Sequence, residues 1–231
     1  MEYDKTIVCL AKSRKLNGTC VAGKERTKSG FGPWIRPISN RPTGELRPAE
    51  MQYSNGCLPR LLDVISITMT EYKPIYYQSE NHVIGKYYWF KIGELEWSKL
   101  ESLRDPEPPR LWINGYSSYY GINDRVPELI ANEMKFSLLL VRPECISIIV
   151  DQELEGLRVR ADFTLNDTQH RLAVTDPEME SFFIRKGRGN YQISEDPVFL
   201  CISLGEPYYG HCYKLVASIL LPNRRSCESD E

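Results

Sequence analysis

A mainly β chain, built as two rounds of one five-stranded plan, is what this sequence predicts, and three observations carry the expectation. Apolar residues come in short runs, too brief for helices and bounded by Gly, Asn, Asp and Pro. The order of three strands, a helix and two strands reads once before residue 105 and again after residue 135. Between the two rounds stands the densest group of breakers in the chain, Asp105-Pro106-Glu107-Pro108-Pro109. The expected division is therefore a first barrel over 1–105, a Pro- and aromatic-rich connector over 106–134, and a second barrel over 135–231.

The first three strands centre on Ile7-Val8-Cys9-Leu10, Thr19-Cys20-Val21-Ala22 and Pro33-Trp34-Ile35-Arg36-Pro37, with turns at Asn17-Gly18 and Ser29-Gly30-Phe31-Gly32. Glu45 to Met51 gives one or two helical turns, with Pro48 tolerated near the start. Leu61 to Thr70 alternates Ser66, Thr68 and Thr70 against Ile65, Ile67 and Met69, as a half-buried strand does. Val83 to Lys91 reads as a fifth strand, and Trp97, Leu100 and Leu103 share one face of a short helix.

After the connector, with its aromatic loop from Trp112 to Tyr120, a short helix is expected over Pro127–Met134. Phe136 to Val150 reads as one bent strand or two. Leu157 to Leu165 alternates apolar and polar residues without a break, and Asn166-Asp167 is a two-residue hairpin turn before the return strand, Gln169 to Thr175. Thr175-Asp176-Pro177-Glu178 carries the marks of a helix start, with a capping oxygen and Pro in the first turn, and the helix should run to about Ile184. Pro197 to Leu204 and Cys212 to Leu221 complete the set. Five strands with a helix after the third form the OB-like layout, a small barrel that commonly binds oligonucleotides and oligosaccharides.

Net charge is −2, with 42% hydrophobic and 26% charged residues, the profile of a folded chain that is not a polycation. The charge is uneven. Residues 1–60 hold eleven Lys/Arg against five Asp/Glu, and between Lys12 and Arg41 eight cations face the single acid Glu25. The expectation is that Lys12, Arg14, Lys24, Arg26 and Arg36 share a basic face of the first barrel and grip phosphates. Trp34 beside them reads either as a stacking platform or as a core indole.

The phrases Cys9-Leu10-Ala11-Lys12-Ser13-Arg14-Lys15, Cys20-Val21-Ala22-Gly23-Lys24-Glu25 and Trp34-Ile35-Arg36-Pro37 resemble the opening of the bacterial dual OB-containing domain family. Val174-Thr175-Asp176-Pro177, Cys201 to Pro207 and Tyr213 to Ala217 are similar to its second half. The resemblance implies two OB-folds in tandem and a role in handling nucleic acid in a defence or mobile-element setting.

Secondary binding candidates are Arg160, Asp176, Glu206 and Lys214, although Asp176 reads first as a helix cap. No P-loop, Rossmann glycine run or Gly-x-Ser-x-Gly elbow occurs, and no catalytic residue is assigned. An enzyme is not the expected class. The three histidines read as structural residues, and seven cysteines without a C-x-x-C give no zinc pattern, so neither a metal nor a cofactor is expected. Without a signal-peptide layout or a membrane-length apolar run, a cytoplasmic protein is expected. The partner is therefore expected to be RNA or DNA. The alternatives are a nucleotide bound by a sensor or enzyme-associated subunit, and a protein partner of an interaction adaptor.

Overall fold

The computed structural model describes residues 1–106, 110–154 and 156–222. Glu107-Pro108-Pro109, the heart of the expected linker, lies outside the described residues. The chain forms two compact units, one of residues 1–103 with 132–138 and the other of 104–131 with 139–231. Among the described residues no helix is long and apolar enough to cross a membrane.

In the first unit, β1 (Tyr3–Lys15), β2 (Gly18–Thr27) and β3 (Gly30–Ile38) form the expected meander, each longer than its apolar run. The extensions reach past the core, so they are polar and gave no hydrophobic signal. Helix α1 (Pro48–Met51) and β4 (Asp63–Tyr72) follow. The single expected fifth strand is two, β5 (Asn81–Ile84) and β6 (Phe90–Glu94), which pair one after the other along the same side of β4, the side opposite β1. Gly85 lies between them and its N–H donates to the Thr68 carbonyl at 2.8 Å. The sheet order is β1-β2-β3-β5-β4-β6, and β4 also pairs with β1, so the ladder comes back to its first strand. Trp97–Leu103 forms a 3-10 helix, whose three residues per turn suit the i, i+3 spacing of Trp97, Leu100 and Leu103. Ile7, Cys9, Val21, Ile35, Ile65 and Ile67 make the core of this unit.

The second unit repeats the order. The strand β7 (Arg125–Pro127) and helix α2 (Glu128–Ala131) precede β8 (Leu138–Val141) and β9 (Cys145–Glu153). Pro143 between these last two supplies no N–H for a ladder, and the path breaks there. β10 (Gly156–Leu165) and β11 (Thr168–Val174) meet at Asn166-Asp167, with φ of 49° and 56° as a primed hairpin turn requires. Helix α3 (Pro177–Lys186), the unexpected edge strand β12 (Gly189–Gln192), β13 (Phe199–Tyr208) and β14 (His211–Leu220) finish the unit. In the order β12-β9-β10-β11-β14-β13-β8, β12 is an addition, and the rest repeats β1-β2-β3-β5-β4 closing on β1, with β8 and β9 together taking the place of β1. In both units the third and fifth strands of the plan pair in parallel, β3 with β5 and β11 with β14.

Candidate nucleic-acid interface

Alternation along β2 decides which cations share a face. Val21 belongs to the core and Gly23 stands opposite the core residue Ile35, so both turn inward. Lys24 and Arg26 therefore turn outward. Lys24 lies across from Val8 on β1 and Trp34 on β3, while Arg26 lies across from Phe31. The register slips by one residue between these two β2–β3 pairs, with the extra residue on β3, so both aromatics stay beside the cations. The Lys24 ammonium is 5.7 Å from the Trp34 ring centroid, with the residue only 8% exposed. Arg26 and Lys28 are exposed toward the hairpin tip.

The close approach of β1 and β2 depends on Gly23, because a Cβ there would sit 2.0 Å from the Val8 carbonyl oxygen.

Arg36 lies on the same side, two residues beyond Trp34, and is 4% exposed. Its Nη2 donates to Ser137 Oγ at 2.8 Å and sits 2.9 Å from Glu80 Oε1, to which Ser137 also donates. Arg36 is thus an interior ion-pair residue and not a phosphate-facing one. Lys12 and Arg14 are opposite Val21 and Thr19, on the other side of the wall from Lys24. From Thr19 to Arg26 the strand runs for roughly 23 Å at about 3.3 Å per residue. Arg41 is held by Glu45 at 3.1 Å and Glu50 at 2.8 Å. The structure brings Lys24, Arg26 and Trp34 together, joined by Phe31, and sets Lys12, Arg14 and Arg36 apart from them.

In the second unit, Arg160 donates to both carboxylate oxygens of Glu153, at 2.6 and 3.0 Å, and its guanidinium is 5.8 Å from the Tyr120 ring centroid. Asp176 is buried, capping α3 through the Met179 N–H at 3.3 Å and accepting the Ile219 N–H at 3.1 Å. Glu206 is exposed on β13. Lys214 is 1% exposed and donates to the Ile113 carbonyl at 2.6 Å. Burial pushes its pKa down to about 7, against the pull of Asp124. His170 stacks on Phe163 and is pushed down to about 4 by burial and by Lys214. This interior pair was missed as a pair, although the burial phase of β14, with Cys212, Lys214 and Val216 inward, pointed to half of it. The loop after Leu111 folds onto this unit, where Ile122 and Arg171 exchange backbone hydrogen bonds. Among the described residues no cluster of His, Cys, Asp and Glu is arranged to hold a metal.

Two sheets of one strand order, each with a helix between its third and fourth strands, define a tandem OB-fold protein. The chain belongs to the dual OB-containing domain family, whose sequence model matches residues 5–219. No curated protein and no solved structure matches it.

Proposed function

We propose that the protein binds nucleic acid across the β2–β3 face of its first unit. The observation that carries this reading is the alternation of Lys24 and Arg26 with Trp34 and Phe31 on one outward side of those strands. In an OB-fold that face is the usual ligand platform. Cations there attract phosphates and the rings offer surfaces to unstacked bases, a combination suited to single strands. Lys28 continues the strip toward the hairpin tip, and Lys12 with Arg14 forms a separate basic station near the other end of β2.

Fluorescence anisotropy with 12-nucleotide DNA and RNA, single and paired, provides the test. Three phosphate contacts give a log–log salt slope of about −2 on single strands. Arg26→Glu with Lys28→Glu is expected to weaken binding about tenfold or more. A slope near zero, or unchanged affinity in the double variant, overturns the reading.

A further inference from the structure

β6 is the last strand of the first sheet and, among the described residues, pairs with β4 alone. All five of its residues are exposed, including Phe90 at 56% and Ile92 at 61%. Tyr87 and Tyr88, just before it, are 58% and 53% exposed. Tyr87, Tyr88 and Phe90 line a cleft of about 580 Å³ whose other lining includes Glu2, Asp4 and Lys86. An apolar surface of this extent beside an open strand edge is uncommon on a folded protein unless something covers it.

Natural edge strands are commonly guarded by a lysine that repels an incoming strand. Lys91 occupies that place, but its charge is directed to Asp63 at 2.7 Å and to Glu94. Gly93 flanks the register slip between β4 and β6, a bulge that itself accounts for a strand glycine. The charges select the visitor. With Lys91 matched by Asp63 and Glu94, the cleft lining holds Glu2 and Asp4 against Lys86, which disfavours a polyanion and favours a cationic segment.

We propose that the β6 edge is a docking site for an extended segment of a protein partner, added as a further strand. Its sequence alternates apolar residues, seated over Phe90, Ile92 and Tyr88, with Lys or Arg facing Glu2 and Asp4. Backbone pairing supplies affinity and the alternate side chains supply selectivity. This site is separate from the β2–β3 face and does not depend on nucleic-acid binding there.

The test is selection from displayed random octapeptides on the full chain, followed by titration of the synthesised winners. Winners are expected to alternate apolar and basic residues and to slow amide hydrogen exchange at Lys91 and Glu94. Phe90→Asp and Ile92→Lys, both at exposed positions, are each expected to weaken them at least tenfold while leaving the thermal unfolding midpoint unchanged. Three results overturn the proposal. One is the absence of enriched peptides, or peptides that bind both variants as well as the parent. The second is a doubling of sedimentation mass that Phe90→Asp abolishes, which assigns the edge to a second copy of the chain. The third is oligonucleotide affinity lost in Phe90→Asp, which assigns the rings to bases.

Discussion

Arg36, Glu80 and Ser137 share a site almost without water, and that makes each of them costly to remove alone. Taking away the guanidinium leaves a buried carboxylate uncompensated, a loss of about 3–5 kcal/mol, whereas replacing both charges with apolar groups often costs far less. Arg36→Met is expected to lower the urea midpoint sharply, and Arg36→Met with Glu80→Leu to recover most of the loss. A reversal at Arg36 therefore reads stability and not nucleic-acid affinity. His170 sets a pH response. Its pKa falls from the ordinary 6.5 to about 4 in the folded state, so the unfolded chain takes up its proton first as pH drops. The stability it contributes is complete above pH 6.5 and disappears as pH falls through about 4, an amount on the order of 3 kcal/mol. His82 acts in the same direction, its pKa lowered by burial and by Lys5. Urea titrations at pH 7 and pH 4.5 are expected to differ less for His170→Gln than for the parent.

At the scale of elements, the β2–β3 pair carries the candidate interface, and Gly23, where β2 closes on β1, is a tight point beneath it. Gly23→Ala places a methyl group against the Val8 carbonyl, a backbone atom that cannot yield without opening the ladder. A loss of about 3 kcal/mol is expected, in the range of overpacked cores, read as a lower thermal midpoint. Oligonucleotide affinity, measured well below that midpoint, should fall with it, because Lys24 rides on the same strand. The succession of three strands, a helix and two strands in both units was legible in the sequence for a physical reason. Alternation and turn chemistry are local, as in the run Leu157–Leu165 and the turn Asn166-Asp167, and local signals survive in a linear text. The division of Val83–Lys91 into β5 and β6 was not legible, since it depends on the register slips with which each of them meets β4. Nor was the separation of Lys12 from Lys24, which follows from the inward placement of Val21 between them.

At the scale of the molecule, the first unit is discontinuous: residues 132–138 return to it after the chain has entered the second. Ser137 lies on that returning segment and completes the Arg36–Glu80 site. A fragment ending at residue 105 lacks this hydroxyl and opens the ion pair to water. It is expected to unfold at lower urea than a fragment ending at 138, with Ser137→Ala in the full chain giving a smaller loss of about 1–3 kcal/mol. Equal midpoints for the two fragments would remove the returning segment from the account of stability.

What the sequence determined by itself is the succession of elements: short apolar runs, turn residues and one helix after each third strand, all written in neighbours a few positions apart. What only the tertiary structure decided is which cations meet. Whether Lys24 faces an indole, Arg36 a carboxylate and Lys214 a carbonyl depends on partners 10, 44 and 101 residues away in sequence. Charge acts through space over a few ångströms, and only folding turns those separations into contact distances.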